Sequence, residues 1–295
     1  MATLRELKGR IGSVASSEKI TGAMKMISSA KMHKAEGALR RLRPYRSTIE
    51  SIIANLLSTD ASFTSPLSEA PAAVSRLTVV ILGSDDGLCG AYNVNLVKFL
   101  EEHLAALRSR HGASLQITVV PVGRKMAKAV ARLALKDGIE VSLPSGVDSK
   151  SSGTAVRDFE FSLRDRFLSH AADAVEVVYM NYISAGRQVP AADRLLPVSP
   201  DAFGTAGEGS ARPCIFEPDA EHIFNSVLPM YLLAVMQEIF VENRVSEQAA
   251  RVMAMQAAND NAKKLLDQLR LEYNKLRQQS ITTELLDIVG GQVRD

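Results

Sequence analysis

The chain has 295 residues, 46% of them apolar, and its Lys and Arg outnumber its Asp and Glu by only two. This is enough apolar sequence for a sizeable core and two structural units, and the low Gly and Pro content argues against extended disorder. Cys89 and Cys214 lie far apart and form no CxxC pair, which argues against a disulfide framework or a cysteine zinc site and favours a reducing compartment.

Residues 1–57 are predicted to form one long helix, with a kink at Pro44. Eleven Lys and Arg against four Glu make it basic, which implies acidic neighbours. Nucleic acid is not favoured, because no aromatic residues interleave the basic ones and no known reading motif is present. The apolar stripes follow heptad-like spacing, with a phase slip at Ser16–Ser17. Their members are Leu4, Leu7, Ile11 and Val14, continued by Ile20, Met24 and Ile27, and then Ala38, Leu42, Tyr45, Ile49, Ile52 and Leu56.

A linker at residues 58–75 leads into an alternation of strands and helices over residues 75–200. Apolar runs at 77–82, 115–122, 139–143 and 174–183 predict strands, and 188–198 predicts an edge strand. Helices are expected from Asn93 or Asn95, from Arg124 and from Thr154, with either Asn as a cap. Strands that alternate with helices indicate a mostly parallel, Rossmann-like sheet. Residues 201–214, with three Gly, predict a loop.

Residues 215–295 predict a second long helical region, with Asp219 as its cap, a break or kink at Pro229 and a stop at Gly290–Gly291. Leu266, Leu269, Tyr273 and Leu276 alternate spacings of three and four, as in a coiled-coil seam. Long amphipathic helices at both ends of a chain most simply pair with each other. The predicted fold is therefore a long antiparallel coiled coil of N- and C-terminal helices (1–57 and 215–295) with an inserted Rossmann-like α/β domain (75–200).

Residues 227–241 form the most apolar run, but Pro229, Gln237 and Glu238 interrupt it. It also falls short of the roughly 20 residues that cross a bilayer, so no membrane span is predicted.

The segment GSDDGLCG, residues 83–90, follows a predicted strand where nucleotide phosphates bind in Rossmann folds. It lacks both GxGxxG and the Lys-Ser/Thr of a P-loop, so a tight turn with Gly87 and Gly90 is favoured. Cys89 is interpreted as a packed structural residue, and Asp85–Asp86 as too few ligands for a metal. The five His have no metal-binding spacing, so no metal or cofactor is predicted. Two alternatives stay open, a nucleotide-dependent α/β enzyme with a helical oligomerisation arm and a cytosolic coiled-coil scaffold.

Four segments carry a resemblance to the γ subunits of F-type ATP synthases. They are LKGRIGSV with KITGAMKMISSAKM within 7–32, SDDGLCGAYNVN at 84–95, SEQAARVMAMQAANDNA at 246–262 and YNKLRQQSITTELLDIVGG at 273–291. The resemblance implies a central rotary shaft of a bacterial synthase, which couples ion translocation through the membrane sector to ATP synthesis or hydrolysis at the β subunits. It also implies no catalytic residue and no cofactor in this chain. Since the resemblance begins near Leu4, no leader is expected.

The same resemblance implies partners, a location and contact residues. The partners are the α and β subunits of the catalytic hexamer, the ε subunit and the c-subunit ring, at the cytoplasmic side of the bacterial inner membrane. Arg277, Gln278 and Thr282 match family positions that bind β, and Met24 lies at a level that faces the catalytic subunits. Arg43 and Tyr45 match the foot of the shaft on the c-ring. Asp86 departs from the pattern, because relatives usually carry a basic residue there.

Overall fold

A computed structural model describes residues 3–58, 64–112, 114–199, 203, 217 and 219–292, which form five α-helices and five β-strands. The chain divides into two compact units. The helical unit comprises Met1–Ser29 and Arg251–Asp295, and the α/β unit comprises Ala30–Ala250. The division cuts both long helices, whereas the domains predicted at 1–57, 75–200 and 215–295 keep each helix whole. Those boundaries stay a prediction.

The two long helices are α1 (Leu4–Leu57) and α5 (Ala220–Gln292). Thr3 and Glu6 form a reciprocal capping box at the start of α1, and Asp219 Oδ1 accepts the His222 N–H at 2.7 Å at the start of α5, as predicted. Helix α5 runs through Pro229, near the fully buried Leu228 and Leu232, so a break there is wrong and a kink stays a prediction. Helix α5 extends to Gln292, one residue beyond the predicted stop at Gly290–Gly291. Pro44 likewise lies inside a continuous helix, and a kink there stays a prediction.

The sheet is built from β1 (Arg76–Leu82), β2 (Gln116–Val122), β3 (Glu140–Val141), β4 (Ala174–Ser184) and β5 (Arg187–Leu196). Its order is β3-β2-β1-β4-β5, with β5 the only antiparallel strand among those described. Helices α2 (Tyr92–His111), α3 (Arg124–Asp137) and α4 (Thr154–Leu168) connect the parallel strands. The Rossmann-like prediction is confirmed. Strand β3 is shorter than the predicted 139–143, and Leu143 is 69% exposed. The loop predicted at 201–214 lies almost wholly outside the described residues.

Alternate residues of the strands enter two different apolar clusters, as the period of a pleated strand requires. Val80 and Leu82 of β1 pack with residues of α1, α4 and α5, whereas Val79 and Ile81 pack with residues of α2 and α3. The end of α1 and the start of α5 are therefore core helices of the α/β unit.

The predicted stripe of α1 is partly wrong here, since Tyr45 and Ile52 are 46% and 41% exposed while Ile53 is fully buried. The buried residues Ile49, Ile53 and Leu56 instead pack in the apolar cluster on one face of the sheet.

The helical unit buries less. Leu7, Met255, Leu266 and Leu269 are each at most 5% exposed, but Ile20 and Ile27 are 60% and 55% exposed, so the predicted continuation of the first stripe is wrong. A polar contact joins the two helices at that level instead. Asn259 Nδ2 donates to the Glu18 carbonyl at 2.7 Å and to Thr21 Oγ1 at 3.3 Å.

Candidate functional site

The place where a Rossmann-like sheet would bind a nucleotide is filled by the chain itself. In the strand order, β2 and β3 lie on one side of β1, and β4 and β5 lie on the other. The switch-point crevice therefore lies outside the carboxyl ends of β1 and β4. Asn243 of α5, 1% exposed, occupies it. Its Nδ2 donates to the Gly83 carbonyl at 3.2 Å, and its Oδ1 accepts from Tyr92 OH at 2.6 Å and the Met180 N–H at 3.4 Å. Helix α5 therefore forms the hydrogen bonds to the crevice that a nucleotide would otherwise have to form.

The β1–α2 turn places two carboxylates beside this crevice. Asp85 is 6% exposed and accepts hydrogen bonds from the Arg124 N–H at 2.8 Å, the Ser149 N–H at 3.1 Å and Ser149 Oγ at 2.8 Å. Burial alone would raise the pKa of Asp85, but these hydrogen bonds outweigh it and lower the pKa. Asp85 therefore links the turn to the start of α3 and to the loop between β3 and α4. Among the described residues no cluster of three potential metal ligands occurs.

Asp86, the departure from the family pattern, is half exposed and already has cationic partners. Its carboxylate lies 2.8 Å from Lys150 Nζ and 3.7 Å from Arg124. The hydrogen bond that Lys150 donates to Asp86 is the main cause that raises the pKa of Lys150. Two carboxylates in one turn make it unfavourable for a phosphate, which agrees with the interpretation of this segment as a structural turn.

The β1–α2 turn is tight, but of the predicted Gly87 and Gly90 only Gly90 contributes, and Gly83 and Leu88 contribute as well. Gly90 has φ +60°, as a glycine permits, and the exposed Leu88 has φ +65°. Backbone room is needed at Gly83, where a Cβ would lie 2.6 Å from Met126, and not at Gly87. Cys89 is 3% exposed, as expected of a packed cysteine.

The predicted caps Asn93 and Asn95 do not cap α2, which begins after Ala91 without a side-chain cap. Asn93 instead bonds Ser84, accepting from its N–H at 3.1 Å and donating to its Oγ at 2.7 Å. The short polar side chain thus tightens the turn that precedes the helix.

Arg43, a predicted foot residue, is engaged within the α/β unit. Its guanidinium lies 3.1 Å from Glu242 and 3.6 Å from Glu238, two carboxylates one turn apart on α5 that are each less than 10% exposed. Arg46 adds a contact of 3.2 Å to Glu238 and one of 2.8 Å to Glu50. Burial raises the pKa of Glu242, the charge of Glu238 adds to this, and Arg43 opposes it.

Sequence reasoning missed this ion-pair cluster. Its signal was two Glu at i and i+4, one inside the apolar run 227–241 and one directly after it, together with two Arg at i and i+3 on α1. The other predicted foot residue, Tyr45, is 46% exposed and does not belong to it.

Arg277, Gln278 and Thr282 lie together on one exposed stretch of α5 in the helical unit. Thr282 Oγ1 donates to the Gln278 carbonyl at 2.9 Å, so it packs along the helix. No ion pair of Arg277 occurs among the described residues. Met24, on α1 of the same unit, is half-buried, whereas its neighbour Met26 is 74% exposed. This leaves a charged fork, an amide and a flexible apolar surface open to a partner.

Comparison with known proteins gives one consistent result. A family model described as ATP synthase matches residues 3–293. The ATP synthase gamma chain of Bacteroides thetaiotaomicron is 36% identical over 304 residues and covers all of both chains. The gamma chain of Polynucleobacter asymbioticus is 34% identical over 295 residues and covers 99% of each. The chain belongs to the ATP synthase γ-chain family.

Solved structures show that the γ-chain fold is shared. A chain of the Euglena gracilis mitochondrial ATP synthase, in a structure of its OSCP, F1 and c-ring, superposes with a TM-score of 0.66 at 22% identity, over 98% of this chain and 93% of that one. A chain of the Tetrahymena thermophila mitochondrial central stalk and c-ring gives a TM-score of 0.58 at 22% identity, over 81% and 99%. The predicted combination of long terminal helices with a Rossmann-like sheet is therefore confirmed.

In this γ-chain family member, α5 passes a length-and-hydropathy test for membrane spans. Residues 220–286 contain an 18-residue window with a mean hydropathy of 1.4, half of which is buried within the structure. A buried core helix passes the same test, and Leu228, Leu232, Met236 and Phe240 are indeed core residues. The absence of a span stays a prediction.

Proposed function

We propose that this chain is the central-stalk subunit of a bacterial F-type ATP synthase, a rotary shaft that couples ion translocation through the membrane sector to ATP synthesis or hydrolysis at the β subunits. The observation that carries the proposal is the match to curated gamma chains over essentially the whole chain, at 34–37% identity. In this proposal the chain binds the α and β subunits, the ε subunit and the c-ring. It is peripheral, at the cytoplasmic side of the inner membrane.

The chain acts without making or breaking bonds. Supporting this, Asn243 fills the switch-point crevice and Asp85 and Asp86 occupy the turn beside it, so the α/β unit offers no open phosphate site there. The rival nucleotide-dependent enzyme requires that crevice. Equilibrium dialysis of the isolated chain with ATP and NAD separates the two, since the shaft should bind neither tightly.

The helical unit is proposed to contact the β subunits through Arg277, Gln278, Thr282 and Met24. A shaft can bias the conformation of a β subunit only by touching it differently at different rotor angles. Arg277 can bind a carboxylate with two parallel hydrogen bonds, which Lys cannot do. The half-buried Met24 suits a surface that meets several partners in turn, because its thioether side chain is flexible.

The foot on the c-ring is proposed to include Arg43 and Tyr45. Tyr45 offers an exposed ring, and the side chain of Arg43 is 54% exposed although Glu238 and Glu242 hold one edge of it. Arg43 thus stabilises the fold through Glu238 and Glu242 and is also proposed to contact the c-ring. Replacing Tyr45 alone tests the c-ring contact without disturbing these ion pairs.

The test is purification of the untagged chain from its native membranes, followed by mass identification of what accompanies it. The shaft is expected with α, β, ε and c subunits in one complex, which pumps ions when ATP is added. An unrelated coiled-coil scaffold would purify without α and β. That result, or a complex that hydrolyses ATP and pumps equally well without this chain, would refute the proposed function.

A further inference from the structure

Helix α3 carries a cationic stripe on its solvent face. Lys125, Lys128, Arg132 and Leu135 follow each other at intervals of three, four and three residues, so they lie on one side of the helix. All four are exposed, Leu135 to 91%. The opposite side seats α3 in the core through Met126, Val130 and Leu133, each at most 5% exposed. The orientation of the stripe is thus fixed by the packing of the helix.

At the first turn of α3, cationic side chains already pair with carboxylates of the same chain. Arg124, the first residue of the helix, lies 3.8 Å from Asp85 and 3.7 Å from Asp86, and Lys150 joins Asp86 at 2.8 Å. The chain thus supplies carboxylates to the cations at the start of α3. Among the described residues, none forms an ion pair with Lys125, Lys128 or Arg132. Three like charges within about 10 Å repel one another unless an acidic partner neutralises them.

We propose that the α3 stripe is a docking surface for an acidic helix of another subunit, with carboxylates at matching i, i+3 or i+4, and i+7 positions and an apolar residue over Leu135. The inference rests on the proposed function only in that the partner belongs to the same complex. A line of cations along a helix fits a second helix, because both present side chains at the same period. The highly exposed Leu135 supplies an apolar contact at one end.

A membrane surface fits this stripe less well. Electrostatic lipid binding is typical of clusters of about four to eight Lys and Arg, or of a helix with aromatic and apolar residues facing the bilayer. The stripe has three cations without partners and one Leu, and the apolar face of α3 is already buried in the core. Lipid is therefore the competing outcome of the test.

The test is site-specific photocross-linking in the purified complex, with Leu135→p-benzoylphenylalanine in the full chain. The expected product joins α3 to a peptide of another subunit that has at least three Asp or Glu within about two helical turns. The variant Lys125→Glu/Lys128→Glu/Arg132→Glu should lower the yield roughly tenfold, since three exposed ion pairs become repulsions. The same probe at Leu168 on α4, which is 44% exposed, controls for general accessibility.

A triple reversal elsewhere, Lys98→Glu/Arg110→Glu/Arg157→Glu, changes the net charge equally and should leave the Leu135 cross-link intact. Cross-links to lipid alone, to a segment without such acids, or to nothing would overturn the inference, and so would a yield that the α3 reversal does not lower. If the reversed chain fails to assemble, the peptide identified with the unreversed chain still decides. The proposed function fails separately, when the chain does not purify with α, β and c subunits at all.

Discussion

The helical unit and the α/β unit solve the problem of burying apolar side chains differently. The α/β unit packs its apolar side chains into three clusters, two of them on opposite faces of the sheet. The helical unit leaves large apolar side chains exposed along both helices. They include Ile20, Met26, Ile27, Met253, Leu271, Ile281, Leu285, Leu286 and Ile288. Exposed apolar surface on this scale marks a surface that a partner covers. We therefore expect the helical unit to depend on a covering partner for its stability more than the α/β unit does.

The largest expected difference between the units is their stability in the isolated chain. Amides of residues 5–28 and 252–286 should exchange with solvent at least about 100-fold faster than those of β1, β2 and β4, because few buried contacts oppose local opening. Hydrogen exchange with mass spectrometry measures this, and circular dichroism should show less helix than in the assembled complex. Equal protection in both units, or one cooperative melt of a fully helical monomer, would contradict the comparison.

Asn243→Leu should weaken the α/β unit. It removes the side-chain partner of the Gly83 carbonyl and of the Met180 N–H, whereas Tyr92 OH keeps its hydrogen bond to the backbone carbonyl of residue 243 at 3.1 Å. The expected loss in free energy of unfolding is about 3 kcal/mol. Urea unfolding of the α/β unit measures it. The control Asn274→Leu, on the exposed face of the same helix, should change the value by less than about 0.5 kcal/mol.

Arg277→Ala should affect the complex and not the fold. Loss of one charge-assisted contact in a partly dry interface costs on the order of 1.5–3 kcal/mol. ATPase rate or yield of the purified complex should therefore fall about tenfold or more, with partial recovery in Arg277→Lys, which keeps the charge but not the fork. The exposed Lys263→Ala on the same helix is the control. Similar results for Arg277→Ala and Lys263→Ala would remove Arg277 from the proposed β contact.

Glu160→Gln should stabilise the α/β unit in a pH-dependent way. Glu160 is 2% exposed, its Oε1 has no hydrogen-bond partner among the described residues, and burial raises its pKa to about 7. The folded state thus binds a proton that the unfolded state releases near its ordinary pKa of 4.5, so stability falls as pH rises between these values. The variant should gain on the order of 2 kcal/mol at pH 8 and almost nothing at pH 4.

Urea unfolding at the two pH values measures this gain, with the exposed Glu101→Gln as control. A gain that does not depend on pH would contradict the titration of Glu160. Because the residue lies in the α/β unit, the effect should be absent from hydrogen exchange in residues 5–28.

The sequence predicted the α/β unit better than the packing of the long helices. The strands, their mostly parallel arrangement and the helices between them were predictable, because apolar runs of five to ten residues leave few alternatives in an α/β fold. The seams of the long helices were not, since Ile20, Ile27 and Tyr45 continue a stripe in sequence but face solvent. Nor could periodicity show that Asn243 fills the crevice or that Glu238 and Glu242 meet Arg43. Those contacts join residues about 150 to 200 positions apart, and only the assembled fold brings them together.

Arg43→Ala should have a small effect on stability that depends on pH. It removes the guanidinium that opposes the raised pKa of Glu242, so that pKa should rise further. An acid with a raised folded pKa contributes least to stability above that pKa, so the variant should lose about 1 kcal/mol at pH 8 and less at pH 5.

Tyr45→Ala should lose almost no stability, yet it should detach the catalytic sector from the membrane if Tyr45 rests on the c-ring. Urea unfolding at both pH values and the ATPase activity left on washed membranes measure the two effects. Because both residues lie at the surface of the α/β unit, soluble ATPase activity should persist in each variant. Its loss in Tyr45→Ala would contradict the assignment of this part of α1 to the foot.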